Sequence, residues 1–92
     1  MSGAGASLAA LRIAYTSPSR IEIELGDRKA ALQGEAFLPG FSDFDFLICR
    51  DQPRAWLHGA QVVPIFEPER VALQNAVLDL LCARGWRVSV DR

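Results

Sequence analysis

Alternating apolar and polar residues predict a pair of strands in the first half of this 92-residue chain. Residues 20–25 read Arg-Ile-Glu-Ile-Glu-Leu, so every second side chain is apolar, as in a strand with one buried and one solvated face. Turn-forming residues follow at 26–29, and the alternation continues over residues 30–38. We therefore predict that residues 30–38 return as an antiparallel partner.

Short strands are also predicted on either side of this pair. An apolar run at residues 11–15 precedes it, and residues 44–50 follow it after a turn at Pro39-Gly40. Four strands joined by short turns favour an antiparallel meander.

The period of the pattern changes between residues 67 and 84, where a helix is predicted. Pro68 suits the first helical position, and Gly85 suits the cap after the last turn. Apolar residues recur at helical spacing and form one broad stripe: Leu73, Ala76, Val77, Leu80 and Leu81. Residues 86–90 alternate again and predict a final strand.

The predicted fold class is therefore α+β: an antiparallel β-meander with one C-terminal helix packed on one face of the sheet and a final short strand. Residues 1–10 are predicted to be a flexible N-terminal lead, and residues 11–92 a single domain. One helix leaves the second face of the sheet open. Alternation assigns five polar side chains to that face: Glu22, Glu24, Gln33, Glu35 and Asp45.

The charge balance disfavours two classes of partner. Ten basic residues, nine of them Arg, stand against eleven acidic ones, and the bases are scattered along the chain. This gives neither the basic surface that nucleic-acid binding uses nor a polybasic segment for anionic membranes. We expect no nucleic acid and no membrane among the partners.

The two cysteines, Cys49 and Cys82, match no metal-binding or redox spacing. Each falls within an apolar run, so we expect small buried side chains and reduced thiols, with a disulfide as the less favoured alternative. The N-terminus resembles neither a signal peptide nor a membrane-spanning segment. This combination predicts a cytoplasmic protein.

The case for catalysis is weak. Asp43 and Asp45 lie two positions apart, so both can project from one strand face and hold a metal or share acid–base work. A polar strand edge is the simpler interpretation. His58 is the only histidine, and no phosphate loop, nucleophile elbow or zinc pattern occurs. We predict no enzyme activity, no metal and no cofactor; a small hydrolase using Asp43, Asp45 and His58 is a rival hypothesis.

The segment after the fourth strand contains the residue types of a protein interface. Arg50, Asp51, Arg54 and Trp56 lie in it, and Pro53 interrupts it. Trp and Arg anchor interfaces because each combines a large contact area with directional polar groups. In the alternative interpretation, Trp56 folds back over an open edge of the core.

Several short motifs follow one another in a distinctive order between about residues 12 and 90. They are the strand Ile21–Asp27, then Gln33-Gly34-Glu35, the strand Phe44–Ile48, Trp56, and the helix end Ala83–Val88. In this order they resemble the immunity protein 74 family of bacterial polymorphic toxin systems. The resemblance implies a small cytoplasmic protein that binds a cognate toxin and blocks it.

Both lines of reasoning predict a non-enzymatic protein-binding domain. The resemblance implies that this domain is an immunity protein that neutralises a cognate bacterial toxin by occlusion. Its arginines would form bidentate pairs with toxin carboxylates, and its acids would mimic or mask substrate charge. The candidate partner-binding residues are Trp56, Arg54, Arg50, Asp51, Asp43, Asp45 and Glu35. The alternative is a structural or oligomerising module without a toxin partner, with Val71, Leu78 and Cys82 as a dimer seam. A homodimer is compatible with either hypothesis.

Overall fold

The computed structural model describes residues 5–38 and 44–91. Within them the chain adopts the predicted α+β fold, in which a mostly antiparallel sheet of seven strands packs against one C-terminal α-helix. The strands are β1 (Arg12–Ser17), β2 (Arg20–Leu25), β3 (Arg28–Ala36), β4 (Phe46–Ile48), β5 (Ala55–His58), β6 (Gln61–Pro64) and β7 (Val88–Val90). The helix α1 is Glu67–Cys82, and a short 3-10 helix, Gly5–Ala10, precedes β1.

Strand β3 organises the sheet because its two ends have different neighbours. All of β3 up to Gln33 pairs with β2, and its last residues, Gly34 to Ala36, pair with β4. Its first residues, Arg28 and Lys29, pair on their other side with β5, which continues into β6. The main path runs β1-β2-β3-β4-β7, and β7 lies parallel to β4. The sheet therefore departs from a simple meander at β5, β6 and β7.

The hairpin of β5 and β6 is an element that the sequence pattern did not predict. Pro53 precedes the hairpin and Pro64 is its last residue, and prolines are uncommon in strands. Its apolar residues also fall on both faces, so the segment lacks the alternation that marks a half-buried strand. Gly59 adopts a φ of 63° and forms the two-residue turn with Ala60. Glycine accommodates this positive φ without the steric cost that other residues incur.

The core lies between α1 and one face of the sheet. Strand alternation turns the apolar residues of β2, β3 and β4 toward this face, and the predicted stripe of α1 covers them. The most deeply buried aliphatic and Phe side chains are Ile21, Ile23, Leu32, Phe46, Ile48, Leu73, Val77 and Leu81. Full burial of one such side chain contributes roughly 1.5–3 kcal/mol to folding, so this layer is the main source of stability.

Both helix ends resemble the prediction, with small shifts. Phe66 is the N-cap, so Pro68 occupies the second helical position, and Glu67 and Glu69 place negative charge in the first turn. The helix ends at Cys82, two residues earlier than predicted. Gly85 has a φ of 86°, and the N–H of Trp86 donates to the carbonyl oxygen of Leu81 at 3.0 Å, which is typical of a glycine-terminated helix.

Several local predictions differ from the structure. The predicted lead includes the 3-10 helix Gly5–Ala10, and Leu8 of that helix packs against the core. Strand β4 is shorter than predicted, which leaves Cys49 beyond its end. Cys49 and Cys82 are both free but exposed rather than buried, because both lie at element ends and outside the apolar layer. The turn predicted at Pro39-Gly40 lies outside the described residues.

No helix within residues 5–38 and 44–91 is long and apolar enough to cross a membrane.

Replacing Gly34 with Ala should destabilise the fold through overpacking. A Cβ atom at this position would lie 2.5 Å from Cε1 of Phe46 and closer still to the carbonyl oxygen of Leu47. Urea unfolding should show a loss of roughly 1–3 kcal/mol, the usual cost of forcing extra atoms into a packed core. The exposed neighbour Glu35 provides the control, since Glu35→Ala should change the free energy of unfolding by no more than about 0.5 kcal/mol. Equal stabilities of the two variants would contradict this explanation of Gly34.

Candidate protein-binding surface

The segment that links β4 to β5 is fixed by two side chains of α1. Gln74, which is 2% exposed, donates from Nε2 to the carbonyl oxygens of Arg50 at 2.9 Å and Gln52 at 2.7 Å. Arg70 donates from Nε to the carbonyl oxygen of Pro53 at 3.3 Å and from Nη2 to that of Ile65 at 3.0 Å. Carbonyl groups that leave a sheet near the core need such partners. The segment predicted to be a binding loop is therefore tied to the helix.

Trp56 lies in the core, and this corrects its prediction as a partner-binding anchor. The side chain is 1% exposed, because alternation along β5 turns Trp56 inward and Leu57 outward. Its Nε1 donates to Oε2 of Glu69 at 3.0 Å, and Cζ of Arg28 lies 6.0 Å from the ring centroid. The indole thus has both apolar packing and a polar partner within the domain. It is not available to a second protein without unfolding this region.

The charged residues near Trp56 are exposed or half-buried, and two of them, Arg54 and Asp51, pair with each other. Nε of Arg54 donates to Oδ2 of Asp51 at 2.9 Å, and Nη2 contacts the same oxygen. This hydrogen bond from Arg54 lowers the pKa of Asp51 below its ordinary value. The side chain of Arg50 is exposed and forms no ion pair with any described residue. Of this predicted group, Arg50 is the side chain that remains freely available for a partner.

Asp45 connects the start of β4 to the strand that ends the chain. Its Oδ2 accepts a hydrogen bond from the backbone N–H of Arg87 at 2.8 Å, and its Oδ1 accepts one from Nη2 of Arg87 at 3.1 Å. These bonds, the backbone one first, lower the pKa of Asp45. Asp45 therefore has a structural role at the junction of β4 and β7. Glu35 is exposed on β3, and Asp43 lies outside the described residues.

The register separates Asp45 from His58. Asp45 precedes Phe46, which pairs with Ala36 at the end of β3, whereas His58 pairs with Arg28 at its start. These β3 positions are eight residues apart, which corresponds to roughly 26 Å at 3.3 Å per residue. Within the described residues, no group of three or more His, Cys, Asp or Glu side chains could hold a metal ion.

The sheet face opposite α1 contains a groove that the sequence did not predict. It has a volume of about 300 Å³, and its lining includes Ala14 of β1, Ala31 of β3, Ala55 and Leu57 of β5, and Val62 of β6. The groove depends on the unpredicted hairpin, because β5 and β6 form one of its sides. The sequence signal for it was one alanine on each of three strands, Ala14, Ala31 and Ala55, which is uninformative until the register is known.

Across this face, one transverse row of side chains follows directly from the strand register. Arg12 lies opposite Glu24, Glu24 opposite Lys29, and Lys29 opposite Leu57. Leu57 in turn lies opposite Val62. The row therefore changes from charged to apolar between β3 and β5.

Exposed apolar residues are concentrated at the hairpin and at the start of α1. Val62 is 70% exposed, Leu57 is 48% exposed, and Val63 and Phe66 are also exposed. Isolated exposed apolar residues are ordinary, but adjacent ones beside a groove are typical of an interaction site. The groove and its apolar border, Leu57 and Val62, are therefore the candidate protein-binding surface.

No protein-family model matches this chain, and searches of curated proteins and of solved structures found no match either.

Replacing Gln74 with Met should preserve the volume of the side chain while leaving two carbonyl groups without a donor. We expect the free energy of unfolding to fall by roughly 2–4 kcal/mol, since an unsatisfied buried polar group costs about 1–3 kcal/mol. Urea unfolding followed by tryptophan fluorescence measures this. Asn75→Met, at the exposed neighbouring position, is the matched control. If both variants unfold at the same urea concentration, the hydrogen bonds from Gln74 to the carbonyl groups of Arg50 and Gln52 do not stabilise the fold.

Protonation of Asp45 should remove its contribution to stability at acid pH. Its pKa is lowered in the folded state, so the unfolded chain takes up the proton first, and stability falls as the pH drops below the ordinary value of 3.8 and through the folded-state pKa. Wild type should therefore be more stable than Asp45→Asn at neutral pH, and the gap should close in acid. Urea unfolding at pH values from about 2 to 7 measures the gap. If the difference in stability between wild type and Asp45→Asn stays constant over this range, the ionised carboxylate is not its source. Asp79→Asn is the control.

Proposed function

We propose that this domain acts by binding another protein, and that it is an immunity protein which neutralises a cognate bacterial polymorphic toxin by occlusion. The observation that carries the proposal is the exposed apolar border of the groove, Leu57 and Val62, on a sheet face that the core does not use. Apolar surface bordered by charged groups is typical of protein interaction sites.

The toxin as partner comes from the sequence resemblance to the immunity protein 74 family. Such a protein acts in the cytoplasm of the cell that produces it, covers the toxin and performs no chemistry of its own. The distance between Asp45 and His58, and the hydrogen bonds that tie Asp45 to Arg87, support a binding role over a hydrolase built on these residues.

The rival proposal is an oligomerising module whose partner is a second copy of the chain. Its suggested seam along α1 is less exposed than the hairpin, since Val71 and Leu78 are half-buried and Leu78 packs against the core. Light scattering would report the molar mass in solution. A dimer that dissociates when Leu78 is changed to Ser, with no affinity for a toxin, would favour this rival.

The double variant Leu57→Ser, Val62→Ser should lose affinity for the toxin domain while keeping the fold, because both side chains are exposed. Isothermal titration calorimetry with the cognate toxin domain should show a Kd at least about tenfold higher, equivalent to about 1.4 kcal/mol. The same variant should protect cells poorly when the toxin domain is co-expressed. Leu38→Ser, an exposed apolar position that does not line the groove, is the matched control and should bind as wild type does.

Two results would count against the proposal. If the wild-type domain neither binds the toxin domain nor protects cells that express it, the immunity function is wrong. If it binds and the double variant binds equally well, the toxin contacts a different surface.

A further inference from the structure

Alanines on three different strands line the groove, together with Glu22 and Glu24 of β2. Ala14 lies at the irregularity between Ile13 and Tyr15 of β1, Ala31 lies opposite Glu22 in the β2–β3 pair, and Ala55 lies at the start of β5. A longer side chain at any of these positions would occupy the space above the sheet. The depression is thus a direct consequence of alanine at these positions on the outer face.

The volume of the groove suits a side chain better than a cofactor. About 300 Å³ is at the lower end of the range of roughly 300–1,000 Å³ that small-molecule sites occupy. Leu57 and Val62, which lie opposite each other in the β5–β6 pair, form an apolar wall of the groove. A concave apolar pocket of this size is the type of site that accepts one aromatic or large aliphatic anchor from a partner protein.

The charged side chains beside the groove differ in whether they already form ion pairs. Glu24 is paired with Arg12, and Oε2 of Glu22 lies 2.6 Å from Nη2 of Arg20. Both carboxylates are therefore already neutralised by arginines of the domain. Lys29 lies opposite Glu24 and Leu57 but forms no ion pair within the described part of the chain. The groove consequently presents one available ammonium group next to its apolar wall.

We propose that the groove receives an aromatic or large aliphatic side chain of the partner protein, with an Asp or Glu next to it that pairs with Lys29. This inference rests on the proposed function in one respect, namely that the domain binds a protein. It adds the chemistry of the segment that the domain recognises: an apolar anchor beside a carboxylate. A free cation at the margin of an apolar pocket favours such a segment over a basic one.

A library of random 12-residue peptides displayed on phage, selected on the immobilised wild-type domain, tests the proposal without knowledge of the toxin. We expect enriched peptides to combine an aromatic or large aliphatic residue with an Asp or Glu within two positions. Synthetic copies should bind Ala31→Leu, which fills the groove, and Lys29→Glu, which reverses its charge, at least about tenfold more weakly than wild type. Arg84→Glu carries the same charge change on an exposed side chain beyond the end of α1, away from the groove, and should leave binding unchanged.

The proposal is overturned if selection enriches no acidic–apolar peptides, or if the enriched peptides bind Ala31→Leu as tightly as wild type. Circular dichroism melts of Ala31→Leu and Lys29→Glu establish that each variant is folded before binding is compared. Failure of the groove assignment can be distinguished from failure of the proposed immunity function. A domain that binds the toxin but selects no such peptides retains the immunity function and loses the groove assignment. A domain that selects them but does not bind the toxin retains the groove and loses the toxin.

Discussion

The arrangement of this domain depends on how α1 satisfies the carbonyl groups of the chain that runs from β4 to β5. Gln74 and Arg70 lie on adjacent turns of the helix and donate to the carbonyl oxygens of residues 50, 52 and 53 in this segment, and Arg70 also donates to that of residue 65 just before the helix. The bond to residue 52 is buried and the other three are partly buried. A buried carbonyl without a donor costs on the order of 1–3 kcal/mol, which is a large share of the stability of a small domain. Because these groups are satisfied, the chain can leave the sheet at β4, pass close to the core and re-enter the sheet at β5. The helix therefore fixes the position of the hairpin as well as covering the core.

The groove is a consequence of that path. Strand β5 joins the sheet beside the first residues of β3, which places Trp56 on the covered face and Leu57 on the open face. The same strand then forms one side of the groove, whose lining includes alanines of three strands. Successive residues of β5 thus serve the core and the exposed surface in turn, so the register of this strand sets both. A change that shifted the register of this strand by one residue would expose the indole and bury Leu57.

The sequence predicts the parts of this fold whose pattern is local. Residues 20–25 alternate strictly, and α1 has an apolar stripe from Leu73 to Leu81. In both elements the spacing of the apolar residues matches that of the buried residues. The hairpin escapes prediction because Trp56 and Leu57 are both apolar and face opposite sides. Gln74 is a polar residue beside the helical stripe, yet it is buried. The sequence pattern does not reveal this, because its acceptors lie 22 and 24 residues earlier in the chain. Of the candidate site, the polar residues of the open face follow from alternation, whereas the groove requires the cross-strand register.

The motifs that resemble the immunity protein 74 family turn out to have structural roles in this domain. Gly34 leaves room for the ring of Phe46 and the carbonyl of Leu47, Trp56 fills the core, and Gly85 ends the helix. Of the residues that line the groove, Lys29, Ala31, Leu57 and Val62 lie outside those motifs, whereas Glu22, Glu24 and Trp56 lie within them. Gly34, Trp56, Gln74 and Gly85 act within the core or at element ends, whereas the exposed side chains of the open face contribute little to the core. Substitutions of such exposed side chains usually change stability by no more than about 0.5 kcal/mol.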